Sequence, residues 1–427
     1  MNDIQRRLAR SFYALVSLPS TAMGFALSVQ ISALSWLLTT RYHLDIHQVG
    51  IVWAAGPLAG IVGQVVIGLI SDRVWFWGGR RRPFIVIGGT LAALMLLALP
   101  NIGEIDGALG IGNLLVVATA VALTLDLAIN ISFNPTRSII ADVTPEGAAR
   151  TRGYTWMQTI SGFFGVLAYV IGAAAGNFML IYAGVGLVLA FSLIPVFFIE
   201  EPRALAGVAS AGEGTVAVRR TQWGQLFELF FAHAFAWIGV QTMFVYIIAF
   251  IQQKMPLPLD AALAAEETGR IIPIAFAVLN TIGFLLPAPV LEPLARRIGR
   301  VRVHTIAMAI MAAGYFGIVA VGDTPLMLYL LMAVVGIGWG SVVSLPFAIM
   351  SEKVETGRMG FFMGLFNLSV VIPQLLVSLV LGSVIQAAGD KTIIFVISGT
   401  ALAASTFLWT FVRDERGERP AVPPGGH

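Results

Sequence analysis

Residues 47–100 read HQVGIVWAAGPLAGIVGQVVIGLISDRVWFWGGRRRPFIVIGGTLAALMLLALP, and this stretch decides the fold. It contains two apolar segments, 47–71 and 82–100, separated by a short connection that carries three arginines, and a fourth arginine, Arg82, begins the second segment. An α-helix needs about 20 mostly apolar residues to cross the hydrocarbon core of a bilayer. Each segment is close to that length. The pattern therefore predicts two membrane-spanning helices joined by a basic loop at one membrane face.

The same pattern recurs along the whole chain. We number the predicted membrane-spanning helices span 1 to span 12, at 11–40, 47–71, 82–100, 110–140, 153–177, 179–199, 224–251, 268–292, 302–321, 325–350, 359–386 and 392–412. The longest hydrophilic stretch lies at 200–222 and is typical of a flexible linker. The sequence thus predicts an all-α membrane protein with twelve transmembrane helices in two six-helix halves. The first bundle is 1–199, the cytoplasmic linker 200–222, the second bundle 223–412 and a disordered cytoplasmic tail 413–427.

The composition excludes several other classes of protein. Hydrophobic residues make up 57% of the chain and charged residues only 11%, whereas soluble domains are about 25% charged. A soluble enzyme, a disordered regulator and a nucleic-acid binder are all disfavoured by this balance. The chain has no cysteine, which excludes disulfides and thiol chemistry. We predict no cofactor, no metal site and no nucleic-acid partner.

Basic residues are distributed unequally between the two sets of loops. Of the 26 lysines and arginines, only Arg41, Lys254, Arg270 and Lys391 fall on one face, and Arg137 falls inside span 4. The others lie in the alternate loops and the two ends. Because cytoplasmic loops are enriched in lysine and arginine, both termini are predicted to be cytoplasmic. We expect a multi-pass plasma-membrane protein, in the inner membrane of a bacterium, that is a monomer.

Several motifs resemble the major facilitator superfamily and, within it, the sucrose/proton symporter-like branch of plant sucrose transporters and their animal and bacterial relatives, the glycoside cation symporters. They are Gly68-x-x-x-Asp72-Arg73 with Gly79-Arg80-Arg81-Arg82, Trp53-x-x-Gly56-Pro57, Leu125-Asp126-Leu127-Ala128-x-Asn130 with Pro135-x-Arg137, and Ser344-Leu345-Pro346-Phe347-Ala348. The basic loop after span 2 is echoed by LEPLARRIGRVRVH after span 8. Such repetition is expected of a transporter whose halves move around a central site.

The resemblance implies proton-coupled import of a disaccharide, such as sucrose or maltose, by alternating access. The alternative is a cation-coupled carrier or exporter of another small solute, with sodium coupling or uniport left open. An intramembrane enzyme is disfavoured because no catalytic motif is present, and we predict that the chain is not an enzyme. A channel is disfavoured by the two-half repeat. No nucleotide-binding loop of the G-x-x-x-x-G-K-[ST] type occurs, so ATP does not drive the transport.

Asp126 is the only acidic residue near the middle of a predicted span. Charged groups at this depth are costly and usually functional. Arg137 lies eleven residues later, which is within about 20° of the same helix face but about 16 Å further along the axis. In the resembling family the matching aspartate and arginine are implicated in proton coupling and sugar recognition. The plainer alternatives are that Asp126 only bonds a neighbouring helix and that Arg137 only extends to the interface.

A sugar exchanges its hydration shell for side-chain hydrogen bonds, so a sugar site needs polar groups within the spans. The predicted substrate-binding set is Gln30, Gln64, Asp126, Asn130, Asn134, Arg137, Gln158, Gln241 and Asn280, with Asp126 also carrying the proton. About half of the amides are expected to join helices instead. Trp36, Trp156, Trp237 and Trp339 are candidate stacking surfaces, although the interfacial belt is the commoner place for tryptophan.

Charged residues in the loops after spans 2 and 4 form a predicted cytoplasmic gate. Charged hydrogen bonds there would close the cytoplasmic end and would have to break when the site opens inward. The alternative is that these arginines only enforce the orientation of the chain in the membrane. The gate set is Asp72, Arg73, Arg80, Arg81, Arg82, Asp142 and Arg150.

Overall fold

Helices form nearly all of the described chain, as the sequence predicts. A computed structural model describes residues 5, 7–60, 67, 70, 74–145, 148–201, 221–354 and 359–414. Within those residues nine helices are long and apolar enough to cross a membrane, and one of them, Arg152–Phe198, contains both span 5 and span 6. A shorter apolar helix, Ile393–Trp409, forms span 12. Span 2 lies partly outside the described residues, and so do most of the predicted linker and the tail from 415 onward.

The observed helices match the predicted spans to within a few residues at most ends. In the first half they are Arg10–Thr40 for span 1, Ile46–Trp53 at the start of span 2, Arg82–Ala98 for span 3, Leu114–Val143 for span 4 and Ala148–Phe198 for spans 5 and 6. In the second half they are Trp223–Lys254 for span 7, Ala261–Leu285 for span 8, Arg300–Val321 for span 9, Pro325–Val342 with Leu345–Ser351 for span 10, Met359–Leu376 with the π-helical Val377–Leu381 and Gly382–Ala387 for span 11, and Ile393–Trp409 for span 12.

Two boundaries differ from the prediction for reasons of local chemistry. Span 4 begins at Leu114 and not at 110, because the Asn113 side chain accepts the first free backbone N–H groups. The preceding Gly110 and Gly112 have φ values of 64° and 68°, which favour glycine and end the short helix Ile102–Leu109. Span 8 begins about two turns early because Asp260 caps its N-terminus.

Spans 5 and 6 follow each other without a loop. The break is at Gly176, whose φ of 83° and ψ of 163° lie outside the helical region. Glycine tolerates a positive φ because it has no Cβ atom. The predicted boundary between these spans, after residue 177, is therefore close to the observed one.

The two halves of the chain pack side by side. Span 1 packs along spans 5 and 6 in the first half, and span 7 packs along span 12 in the second. Between the halves, span 8 packs against the long helix Ala148–Phe198, and the end of span 11 packs against the start of span 2. One large apolar core includes residues from both halves. The space enclosed by spans 1, 2, 4, 7, 10 and 11 contains the candidate site.

Candidate functional site

A cavity of about 390 Å³ lies between the two halves. Small-molecule sites typically occupy about 300–1,000 Å³ and combine apolar walls with a few convergent polar groups. This cavity has that character, because aromatic and aliphatic side chains alternate with amides. Its walls are formed by Leu27, Gln30, Ile31, Trp53, Gly56, Pro57, Gly60, Asp126, Ile129, Asn130, Phe133, Trp237, Gln241, Phe244, Trp339, Asn367, Val370, Val371 and Gln374.

Asp126 is the one acidic side chain among these lining residues, and none of them is basic. The residue is only 7% exposed. Gln30 of span 1 donates from Nε2 to Asp126 Oδ2 at 3.0 Å. A Cβ atom added to Gly56 of span 2 would lie 3.3 Å from the same oxygen, so the backbone of span 2 passes directly beside the carboxyl group. The carboxyl group of span 4 is therefore held between two other helices.

Amide side chains face the cavity from both halves. In the first half, Asn130 lies one turn after Asp126, and its Nδ2 donates to the Asp126 carbonyl oxygen at 2.8 Å. In the second half, Gln374 of span 11 donates from Nε2 to Gln241 Oε1 of span 7 at 3.3 Å. Asn367 lies seven residues before Gln374 and lines the same wall. The arrangement places uncharged donors and acceptors on opposite sides of one space.

Aromatic rings form the remaining wall on the side of the second half. Trp237 and Trp339 are edge-to-face, with ring centroids 6.1 Å apart and planes at 81°. Phe244 is edge-to-face with Trp339 at 5.3 Å. Trp53 of span 2 also lines the cavity. Two of the predicted stacking surfaces, Trp237 and Trp339, thus lie at the cavity and not in an interfacial belt.

The structure brings together four of the predicted substrate-binding residues, namely Gln30, Asp126, Asn130 and Gln241. Asn280 lies behind the aromatic wall, where its Oδ1 accepts from Trp339 Nε1 at 3.1 Å. The other predicted residues are not among those lining the cavity. Arg137 is exposed, with its guanidinium carbon 4.0 Å from the Phe133 ring centre, Gln158 is exposed, and Asn134 is half-buried. Gln64 lies outside the described residues.

The lining residues outside the predicted set include three aromatic side chains and two amides: Trp53, Phe133, Phe244, Asn367 and Gln374. The two amides carried a usable signal, because a spacing of seven residues places both on one face of a helix. The aromatic residues carried none, since phenylalanine and tryptophan are ordinary in an apolar span.

In the part of the chain that the structure describes, four hydrogen bonds join the two halves toward one end of the cavity. This end is formed by the C-terminal part of span 1, the start of span 2, the boundary of spans 5 and 6, and the facing ends of spans 7, 8 and 11. We call it the closed end; it is the end that the charge asymmetry predicts to face outside. The bonds are Trp36 Nε1 to the Ala265 carbonyl at 2.7 Å, Ser35 Oγ to the Val245 carbonyl at 3.1 Å, Asn177 Nδ2 to the Gly269 carbonyl at 3.2 Å, and the His47 amide to Gln386 Oε1 at 2.8 Å.

One of these bonds depends on a proline. Pro273 lies inside span 8 and has no backbone N–H. The carbonyl four residues earlier, that of Gly269, therefore lacks its usual intrahelical donor. Asn177 of the other half supplies a donor to that oxygen. The helix defect and the contact between halves are thus the same feature.

The predicted gate residues that are described lie within the first half. Arg81 donates from Nε to Asp142 Oδ2 at 3.0 Å, and both side chains are largely buried. The Glu201 carboxylate accepts from the backbone N–H groups of Arg80, Arg81 and Arg82 at 2.8, 2.8 and 2.7 Å. Carboxylates are stabilised at helix N-termini, here that of span 3. Glu201 is not in the predicted gate set, because the sequence pattern assigned it to the linker at 200–222. Asp72, Arg73 and the Arg150 side chain lie outside the described part.

Comparisons with known proteins agree with this architecture. A family model described as Major Facilitator Superfamily matches residues 17–378. Sucrose transport protein SUC4 of Arabidopsis thaliana is 24% identical, over 77% of this chain and 75% of that protein. Sucrose transport protein SUT5 of Oryza sativa subsp. japonica is 25% identical, over 99% and 91%.

Among solved structures, a D323A mutant of the nucleoside transporter NupG superposes with a TM-score of 0.72 at 14% identity, over 94% of this chain and 99% of that one. The inward open xylose transporter XylE from E. coli gives 0.70 at 14% identity, over 96% and 97%. At this level of identity the superpositions establish a shared fold. They confirm the predicted all-α architecture.

Proposed function

This chain belongs to the major facilitator superfamily, and we propose that it is a secondary transporter that imports a disaccharide such as sucrose or maltose together with a proton. The matched proteins are transporters and the chain is a membrane transporter, not an enzyme, as predicted. The substrate class, the coupling ion and the direction are the proposal. The observation that carries it is the placement of Asp126 in a cavity between the halves whose other described lining residues are uncharged.

The environment of Asp126 supports proton coupling. A carboxyl group can bind and release a proton, whereas the amides that surround it cannot. A buried carboxylate without a cationic partner is costly, and its described partner, Gln30, is neutral. Protonation removes that cost, so the group is suited to gain a proton in one state of the transporter and lose it in another.

The rest of the cavity supports a neutral, polar, ring-shaped solute. Amides on opposite walls supply hydrogen bonds to hydroxyl groups, and the aromatic wall supplies a surface for the apolar face of a sugar ring. An anionic solute would be repelled by the Asp126 carboxylate, and no described lining residue is a cation that could offset the repulsion. The relatives named as sucrose transport proteins match most of this chain, which favours a disaccharide over a monosaccharide.

The closed end supports alternating access. Hydrogen bonds and close packing join the halves at the end predicted to face outside. We therefore propose that the structure is an inward-facing state. Import then requires a second state in which these contacts separate while the cytoplasmic end closes, with the predicted gate contributing to that closure.

The test is uphill accumulation in proteoliposomes. Asp126→Asn should abolish sugar accumulation driven by a pH gradient, because an amide cannot carry the proton. Counterflow of labelled sugar should survive, because an amide resembles the protonated acid. Asp323→Asn is the matched control, since it makes the same change at an exposed position. Full pH-driven accumulation by Asp126→Asn would refute proton coupling through this residue.

The same preparation separates the alternatives. Accumulation that needs a sodium gradient would favour sodium coupling, and counterflow without any accumulation would favour uniport. Failure of the unmodified protein to exchange any of a panel of labelled disaccharides would refute the proposed solute class.

A further inference from the structure

A fully buried histidine lies directly behind the cavity wall. His233 of span 7 is 1% exposed and does not line the cavity. Its Nε2 accepts from the indole N–H of Trp237, one helical turn later, at 2.9 Å. Its ring stacks on Phe366 of span 11, with centroids 4.7 Å apart and planes at 19°.

The hydrogen bond fixes the state of the histidine. Because Nε2 accepts, the proton of the neutral ring is on Nδ1. Nδ1 has no hydrogen-bond partner among the described residues. The ring thus makes one directional contact, and that contact is with a residue of the cavity wall.

The other two tryptophans at the cavity are held in the same way. Trp339 donates its indole N–H to Asn280 at 3.1 Å, and Trp53 donates its indole N–H to Ser35 at 2.8 Å. Neither Asn280 nor Ser35 lines the cavity. All three indole N–H groups are therefore bound to side chains behind the wall, and a solute meets the rings but not their donors.

We propose that His233 is a positioning residue for solute recognition: by accepting the Trp237 N–H it fixes the ring that a sugar contacts. This inference rests on the proposed transport function. A freely rotating indole has several rotamers, and its buried N–H would seek another acceptor. The edge-to-face contact with Trp339 would be lost in those rotamers. Fixing the ring in advance reduces the ordering that a solute must impose on binding.

Two substitutions of His233 separate this role from packing. His233→Phe retains an aromatic ring against Phe366 but removes the acceptor. His233→Gln removes the ring but places an oxygen near the position of Nε2. A positioning role predicts that His233→Phe raises the KM for sugar about 2- to 13-fold, which is the range expected for the loss of one typical net hydrogen bond. It also predicts that His233→Gln, which keeps an acceptor, has a KM close to that of the unmodified protein. A packing role predicts the reverse order.

A double-mutant cycle gives an independent measurement. If His233 acts through the indole N–H, the effect of His233→Phe on KM should disappear in a Trp237→Phe background, because no N–H remains to be accepted. An effect of equal size in both backgrounds would refute the proposal. His233→Leu also lacks the acceptor and allows the same comparison if His233→Phe does not accumulate in the membrane.

His304 provides the matched control. It is a second fully buried histidine of the same half, edge-to-face with Trp409 and outside the cavity. His304→Phe should leave the KM unchanged even if it lowers the amount of protein.

The transport function and the positioning role fail in different ways. Absence of sugar exchange in the unmodified protein would refute the proposed function. In that case the ultraviolet resonance Raman difference spectrum between the unmodified protein and His233→Phe still reports whether the hydrogen bond donated by the Trp237 indole N–H is lost. A spectral change together with an unchanged KM, in a protein that transports, would refute the positioning role alone.

Discussion

One methyl group added at Gly50 should shift the equilibrium between the two states of the transporter. It lies near the start of span 2, outside the cavity lining, and faces the second half of the chain. A Cβ atom at this position would overlap the Ser378 carbonyl oxygen of span 11 and come within 2.5 Å of the Tyr246 hydroxyl of span 7. The carbonyl belongs to the backbone and cannot rotate away. Gly50→Ala should therefore oppose the closed end without altering the solute contacts.

The size of the effect follows from the cost of overpacking. Extra methyl or methylene groups in a well-packed interior cost about 1–3 kcal/mol. Because about 1.4 kcal/mol corresponds to a tenfold change in an equilibrium constant, the population ratio should shift about 5- to 140-fold toward the state with the outer end open. The maximal transport rate should fall, because each transport cycle must pass through the state in which the outer end is closed.

The chain has no native cysteine, which makes accessibility simple to measure. Ser35→Cys places a single thiol between the halves, where Ser35 bonds the Val245 carbonyl. Labelling of this thiol by an impermeant reagent added outside should increase in the Gly50→Ala background. Gly24→Ala is the control, because it makes the same change in span 1 with no neighbouring atom within 4 Å. Equal labelling and equal transport in the Gly50 and Gly24 variants would show that the closed end is not a gate.

Two further outcomes are expected. Gln30→Ala and Asn130→Ala should each raise the KM for sugar about 2- to 13-fold, as expected for the loss of one net hydrogen bond. Gln158→Ala should leave the KM unchanged, because Gln158 lies outside the cavity lining. An unchanged KM in both the Gln30 and the Asn130 variant would place the solute elsewhere. Glu201→Gln should lower the melting temperature of the purified protein relative to the exposed control Glu104→Gln, since the carboxylate at the N-terminus of span 3 contributes about 0.3–2 kcal/mol; equal melting temperatures would contradict a capping role.

The sequence was sufficient to predict where the helices lie along the chain, but not how each helix is rotated about its own axis. Length and apolarity define a span because the bilayer requires both. They do not say which side of an apolar helix faces a neighbour, since lipid and protein interior are equally apolar. Gln158 and Gln241 illustrate this limit. Both are amides in apolar spans, yet only Gln241 faces the cavity.

The sequence located a residue of the cavity wall where the chemistry was least ambiguous. A single acid in mid-membrane is costly enough to imply a role, and Asp126 does lie in the cavity wall. Asn280 was predicted to bind solute, whereas its oxygen holds the Trp339 indole behind the wall. Sequence could not separate these roles, because an amide that binds a solute and an amide that orients a neighbour differ only in the direction of the side chain.

The proline in span 8 has a consequence for the water content of the transport cycle. When the halves separate, Asn177 leaves the Gly269 carbonyl, and the usual intrahelical donor four residues later cannot replace it because Pro273 has no N–H. A water molecule entering the opened cleft can replace the lost donor at nearly equal enthalpy. Opening of the outer end thus replaces the Asn177 side chain with water as the hydrogen-bond donor to the Gly269 carbonyl. The balance between states then depends on water activity, and osmolytes excluded from protein surfaces should favour the dry, closed arrangement.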